Sequence, residues 1–89
     1  MERFQTTRKK ASNFKIGDYI SIHGYPAKVT QASNYSVQPG NLLILGIDIF
    51  TGAEYEIICP PSQILKELVV IKEHYEDENE VIEIHLEQQ

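Results

Sequence analysis

The sequence predicts an all-β fold, a small barrel that carries a β-hairpin at its C-terminal end. Short runs of apolar residues, several of them alternating with polar ones, recur along the 89 residues, and glycine, proline or asparagine lies between most of them. A chain of this length forms one domain of ordinary size, and closely spaced strands with short links are typical of small barrels. We expect residues 1–13 to form a flexible basic arm and residues 14–89 to form the barrel with its hairpin extension.

The first predicted hairpin joins a strand over residues 19–23 to a returning strand over residues 27–30. Glycine and proline at residues 24–26 indicate the turn between them. Residues 31–41 are mostly polar and contain a Pro-Gly pair, so we expect them to form a loop.

A second hairpin follows, with an apolar strand over residues 42–50 and its partner over residues 53–59. Pro60 and Pro61 end the partner strand, because proline lacks the amide N–H that a sheet ladder requires. Isoleucine is frequent in these strands, which favours a buried position. The residues that we expect to form most of the core are Ile20, Ile22, Val29, Leu43, Leu45, Ile47, Ile49, Ile57 and Cys59.

The last part of the chain fits both a helix and strands. Apolar residues recur at helical spacing over residues 64–75, whereas residues 68–71 are rich in β-branched side chains and residues 81–86 alternate as a strand does. We favour a short helical turn over residues 62–65 followed by two strands. The turn between those strands is then at residues 77–79.

Charge is distributed unevenly along a chain whose net charge is −5. Lysine and arginine crowd the first fifteen residues, none lies between Lys28 and Lys66, and carboxylates dominate from Glu73 onward. Nucleic-acid affinity depends largely on cations that meet phosphates, so we look for such contacts in the basic arm. The candidate nucleic-acid contacts are Arg8, Lys9 and Lys10.

The one cysteine, Cys59, cannot form a disulfide within the chain, which fits a reducing compartment and a cytoplasmic location. No neighbouring cation or helix N-terminus would lower its pKa, so we expect a buried, unreactive thiol. No apolar run reaches the roughly 18 residues that cross a bilayer, so we expect no membrane association.

The sequence indicates no catalysis, no cofactor and no small-molecule substrate. Asp48 interrupts an apolar strand without a partner base or nucleophile, and no motif combines a nucleophile, a base and an oxyanion site. We expect Asp48 and Asp18 to bind backbone groups at turns instead. His23, His74 and His85 lack the spacing of metal ligands, so we expect no metal site.

Short motifs between residues 17 and 60 carry a family resemblance. They are GDYI at 17–20, GYPAKV at 24–29 and GIDIFTG at 46–52, followed by YE at 55–56 and ICP at 58–60. Together they resemble the N-terminal domain of the translation factor 5A and bacterial elongation factor P family, and the run GIDIFTG is similar to the 5A branch in particular. The resemblance implies an SH3-like barrel.

The sequence departs from this family in the loop after the first hairpin. The resemblance implies a lysine there that is converted to hypusine and stabilises peptidyl-tRNA, but residues 29–65 contain no lysine. We therefore expect a degenerate, single-domain relative that lacks both the modified lysine and the family's second, OB-fold domain. The loop residues that we expect to bind a partner are Ser33, Asn34, Tyr35 and Ser36.

The function that we expect is that of a non-enzymatic binding module, which engages a protein partner, with translation machinery among the candidates, through its barrel. One alternative is a self-assembling structural protein like the major protein of fungal Woronin bodies, a more distant relative that also lacks the lysine. A second alternative is weak RNA binding through the basic arm. In the self-assembly alternative, the residues that pair between copies are Ile82, Ile84 and Leu86.

Overall fold

The computed structural model describes the backbone of residues 3–71 and the side chains of residues 5–69. This part of the chain contains six β-strands and one short 3-10 helix, and the all-β prediction is confirmed. None of its helical segments has the length and hydropathy of a membrane span. The elements are β1 (Arg3–Lys10), a 3-10 helix (Ala11–Asn13), β2 (Tyr19–Ile22), β3 (Tyr25–Asn34), β4 (Leu42–Asp48), β5 (Glu54–Cys59) and β6 (Ile64–Ile71).

The six strands form one antiparallel sheet in the order β1-β6-β2-β3-β4-β5. Neighbours in sequence from β2 to β5 pair as hairpins, while β6 returns to lie between β1 and β2. The sheet therefore forms a small barrel-like domain that is not closed, with β1 and β5 at its edges.

Apolar side chains from one face of the sheet form the core. The core cluster comprises Ala11, Phe14, Ile20, Ile22, Ala27, Val29, Ile44 and Cys59. Four of the predicted core residues belong to this cluster, and a fifth, Ile57, packs against it half-buried. The alternating pattern of β2 and β3 therefore predicted their inward faces correctly.

The prediction chose the wrong face of β4. Ile44 is fully buried there, whereas the predicted core residues of this strand are only half-buried. Gly46 also faces inward, because a methyl group on it would lie 3.0 Å from both Ala27 Cβ and Ile22 Cδ1. The core is too narrow at this point for a larger side chain, so the face with glycine points inward. The predicted residues that lie outside the core cluster are Leu43, Leu45, Ile47 and Ile49.

Residues 3–13 do not form the predicted flexible arm. β1 pairs with β6 along its whole length. The 3-10 helix continues this attachment, since the Ala11 N–H donates to the Gln63 carbonyl at 2.8 Å and the Ser12 N–H donates to the Pro61 carbonyl at 3.0 Å. The polar composition of β1 concealed it, because an edge strand needs few apolar residues and its partner lies more than fifty residues away.

Further boundaries differ from the prediction, including the start of β3 at Tyr25 and the end of β4 at Asp48. β3 extends to Asn34, four residues beyond its predicted end, so the loop predicted over residues 31–41 is confined to residues 35–41. The helical turn predicted over residues 62–65 is wrong, because the Gln63 N–H donates to the Pro60 carbonyl at 3.0 Å in a tight turn and β6 begins at the next residue. Proline favours such a turn by restricting its own φ angle. The predicted last strand, residues 81–86, lies outside the described residues.

Candidate functional site

The tip of the β3–β4 hairpin, residues 35–41, is held together by its own hydrogen bonds. The Tyr35 N–H donates to the Asn41 carbonyl at 2.9 Å, and the Asn41 N–H donates to the Gln38 carbonyl at 3.1 Å. The Asn41 side-chain amide also donates to Gln38 Oε1 at 2.9 Å. Gly40 has a φ of 93°, which residues with a Cβ atom rarely adopt. These features close the tip into a compact loop.

Only two of the four predicted binding residues lie in this tip. Ser33 and Asn34 are the last residues of β3 and pair with the first residues of β4. Tyr35 and Ser36 lie in the tip, where Tyr35 is half-buried and Ser36 is exposed. Sequence reasoning missed Val37, whose side chain is 72% exposed at the outer end of the hairpin. A valine isolated among polar residues was the available signal.

The part of the hairpin next to the tip has no charged side chain. Residues 29–47 include no aspartate, glutamate, lysine, arginine or histidine. The tip can therefore bury apolar surface and exchange hydrogen bonds with a partner. It offers neither a cation for phosphate groups nor an acid or base for catalysis.

Lys9 lies at the centre of an ion-pair network that attaches β1 to the barrel. Its Nζ atom is 3.0 Å from Asp18 Oδ2 and 3.0 Å from Glu67 Oε2, and it lies 4.8 Å from the centroid of the Phe14 ring. Desolvation acts to lower the pKa of Lys9, but the hydrogen bonds to both carboxylates outweigh it and raise this pKa. The Lys9 charge is thus engaged within the protein, and this geometry disfavours the nucleic-acid contact predicted for it.

Asp18 is the partner of Lys9 and also organises a turn. Its Oδ2 accepts a hydrogen bond from the Lys15 N–H at 2.8 Å, which confirms the predicted turn role. Desolvation acts to raise the pKa of Asp18, but this backbone bond and the bond from Lys9 lower it overall.

The other cations of the sheet lie on its outer face. Arg8 and Lys10 alternate with Lys9 along β1, and Arg8 lies directly opposite Lys66 on β6. On β3, Lys28 lies opposite Tyr19 of β2, and its Nζ is 5.8 Å from the centroid of that ring. Alternation places all four cations on the face opposite the core. We call this surface, defined by Arg8, Lys10, Lys28 and Lys66, the cationic face.

Asp48 organises the turn between β4 and β5. Its Oδ1 accepts hydrogen bonds from the Phe50 N–H at 2.8 Å and from the Thr51 N–H at 3.0 Å, and its Oδ2 accepts one from the Tyr55 hydroxyl at 3.3 Å. The backbone bonds lower the pKa of Asp48 although desolvation acts to raise it. The predicted turn role is therefore confirmed.

A stacked pair of tyrosines, which sequence reasoning missed, lies beside Asp48. The ring centroids of Tyr25 and Tyr55 are 5.1 Å apart and their planes differ by 16°. Desolvation raises the pKa of Tyr55, and the negative charge of Asp48 raises it further. The two tyrosines are thirty positions apart in sequence, so only the folded sheet brings them together.

The cysteine and the histidines were the other residues considered as reactive or metal-binding groups. Cys59 is buried and its desolvation raises the pKa of its thiol, which fits an unreactive role. His23 lies exposed in the β2–β3 turn. Within residues 3–71, no three side chains of metal-binding type come together. The predicted residues that lie outside the described part of the chain are His74, His85, Ile82, Ile84 and Leu86.

Comparisons with known proteins agree on one family. A family model described as "Translation initiation factor 5A-like, N-terminal" matches residues 4–63. The fold is similar to a translation initiation factor eIF-5A family protein from Naegleria fowleri, with 35% identity, a TM-score of 0.64 and coverage of 76% of this chain and 50% of that chain. It is also similar to the eukaryotic translation initiation factor 5A from Methanococcus jannaschii, with 26% identity, a TM-score of 0.62 and coverage of 68% and 48%. The chain spans about half the length of these proteins. No curated protein matches it.

Proposed function

Because the chain belongs to the translation initiation factor 5A-like family, matching its N-terminal domain over residues 4–63, we propose that it is a non-catalytic binding module that engages a protein partner through the tip of its β3–β4 hairpin. The observation that carries this proposal is the exposure of one apolar side chain, Val37, on a loop that its own hydrogen bonds hold. The proposed site of action is the cytoplasm, where translation components are the first partners to test.

A pre-formed tip favours binding, because less conformational entropy is lost when a partner docks. The bonds that join Tyr35, Gln38 and Asn41 supply this order within the loop. The uncharged surface favours a protein over a nucleic acid, since phosphates require cations. A partner with a shallow apolar depression and a few polar groups fits this surface best.

The same tip supports the proposal that the chain is not a hypusine substrate. Without a lysine in residues 29–65, no amine lies in the loop where the family resemblance places the modified residue. Intact mass after co-expression with the two modifying enzymes should equal the unmodified mass. A gain in mass that maps to any lysine would contradict this.

One observation favours RNA contact as a second candidate function. Arg8 and Lys66 lie directly opposite each other, and like charges in this position destabilise a sheet unless something compensates them. The described residues place no carboxylate on the cationic face of β1, β6, β2 and β3. The nucleic-acid contact that was predicted for the arm is therefore proposed for this face instead. Lys66 and Lys28 take the place of Lys9 in it.

Affinity purification with matched variants tests the tip. We would immobilise the full chain as wild type, Val37→Asp and Ile16→Asp, because Ile16 is 71% exposed and serves as a control for adding a charge at an exposed apolar position. A protein partner of the tip should be retained by wild type and Ile16→Asp and lost with Val37→Asp. If every retained protein remains with Val37→Asp, the proposal is wrong.

Salt dependence and particle mass distinguish the two alternative functions, RNA binding and self-assembly. RNA bound by the cationic face should leave as salt rises, whereas a partner held by apolar contact should stay. Self-assembly, the remaining alternative, would appear as a wild-type particle several times heavier than one 10.2 kDa chain in light scattering.

A further inference from the structure

A second binding surface lies at the end of the sheet opposite the hairpin tip. Tyr25 begins β3 and Phe50 follows β4, so both lie at the end of these strands that is farthest from residues 35–41. Their side chains are 51% and 43% exposed. The Ile49 N–H donates to the Pro26 carbonyl at 3.1 Å, which holds the two aromatic segments side by side. Exposed aromatic side chains that lie together often mark an interaction surface.

The register of the sheet explains why the two tyrosine rings meet here. Asp48 lies opposite Ala27 on β3 and binds the Ala53 carbonyl through its own N–H at 2.7 Å. Alanine is small, so it leaves room for a larger side chain beside the carboxylate. Tyr55 reaches the carboxylate from β5 with its hydroxyl, and Tyr25 stacks on the Tyr55 ring from β3.

The electrostatics of this end favour a cation. The faces of aromatic rings are negative, and the Tyr55 hydroxyl donates to the buried Asp48 carboxylate, whose pKa is lowered so that it is ionised. Residues 29–65 contain no lysine or arginine, so the sequence places no opposing cation on β4, β5 or the turn between them.

We propose that Tyr25 and Tyr55, with Asp48 bound to the Tyr55 hydroxyl and Phe50 nearby, form a binding site for the guanidinium group of an arginine on an extended, basic segment of another protein. The guanidinium stacks on the exposed face of Tyr25, where cation–π attraction and the negative field act together. This site is distinct from the tip, so that either can exist without the other. Phosphate groups are disfavoured here by the same charges that attract the cation.

The test uses the full chain and a nine-residue peptide of alternating arginine and glycine, followed by NMR of the backbone amides. At about 1 mM peptide, the amides of residues 25, 50 and 55 should shift, since a site of this kind binds weakly. The same peptide with citrulline in place of arginine keeps the planar shape without the charge and should not shift them. Equal binding of the citrulline peptide, or no binding of the arginine peptide, would overturn the proposal.

Variants separate this site from a purely structural pair. Tyr25→Phe keeps a ring and should retain binding, whereas Tyr25→Leu keeps an apolar cap and should weaken binding about fivefold. Unchanged binding by Tyr25→Leu would refute the site.

Two further outcomes point elsewhere and also contradict the proposal. If Tyr35→Leu abolishes peptide binding while Tyr25→Leu does not, the peptide belongs to the hairpin tip. If an oligouridine strand shifts the amides of residues 25 and 55 and the arginine peptide does not, the rings stack on bases instead of cations.

Discussion

The two long antiparallel pairings of this barrel are stabilised by different means. Between β1 and β6, charged side chains carry the contact, with Lys9 held by Asp18 and Glu67. In β3 and β4, the charged residues are Lys28 and Asp48. The core contact between these strands comes from the fully buried side chains of Val29 and Ile44. The comparison teaches that burial stabilises the central hairpin, while an ion-pair network attaches a polar edge strand.

The largest effect should come from the central hairpin. Ile44→Ala removes a fully buried side chain and should lower the free energy of unfolding by about 2–5 kcal/mol. Ile47 lies on the other face of the same strand and is half-buried, so Ile47→Ala is the matched control and should cost clearly less. Urea unfolding of both variants measures the difference. An equal or larger loss in Ile47→Ala would reverse the assignment of the inner face of β4.

A smaller effect should follow from removing the ion-pair centre of the β1–β6 pairing. Lys9→Met keeps the apolar stem but leaves Asp18 and Glu67 without their shared cation, and should cost about 1–2 kcal/mol. Lys10→Met, at an exposed neighbouring position, should change stability by less than about 0.5 kcal/mol. Thermal unfolding compares them. Similar melting temperatures for the two variants would show that the network contributes little to holding β1.

The pH dependence should separate the two regions again. Asp18 and Asp48 have lowered pKa values, so their stabilisation is present above about pH 4, the unfolded value, and is lost as pH falls through the folded pKa. Lys9 has a raised pKa, so its contribution is present below about pH 10.4 and is lost as pH rises further.

Unfolding free energies from pH 2 to 11 for wild type, Lys9→Met and Asp48→Asn test this reasoning. Tyr55 and Cys59 have raised pKa values as well, so they add to the alkaline loss. Lys9→Met should therefore remove part of the alkaline loss and part of the acid loss, while Asp48→Asn should act mainly on the acid loss. An alkaline loss that persists at full size in Lys9→Met would show that another group causes it.

The smallest effect on stability should be at the hairpin tip. Val37 is 72% exposed, so Val37→Asp should change the free energy of unfolding by less than about 0.5 kcal/mol. If the stability of Val37→Asp is unchanged, then a partner that this variant fails to retain is lost because of the binding surface and not because of unfolding. A clearly lower melting temperature would instead place Val37 among the residues that support the hairpin.

Much of the fold could be predicted from local patterns. The alternation around Ile20 and Ile22 and the stop at Pro60 depend on neighbours in sequence and lie where we expected them. β4, in contrast, ends at Asp48, two residues before its predicted end. The site was harder, because Tyr35 and Ser36 were predicted only from the family resemblance of their loop, and their role in binding stays a prediction. Val37 and the Tyr25–Tyr55 pair were not found at all, because exposure and stacking depend on the arrangement of strands.

The sequence by itself determined the family, the all-β class, the order of the central hairpins and the absence of lysine from residues 29–65. Each of these follows from residues that are close together in the chain. The tertiary structure alone decided which face of β4 points inward, because both faces are apolar and only the contact of Gly46 with Ala27 and Ile22 distinguishes them. It also decided that residues 3–10 form a strand, because the partner that completes their hydrogen bonds lies at the other end of the described chain.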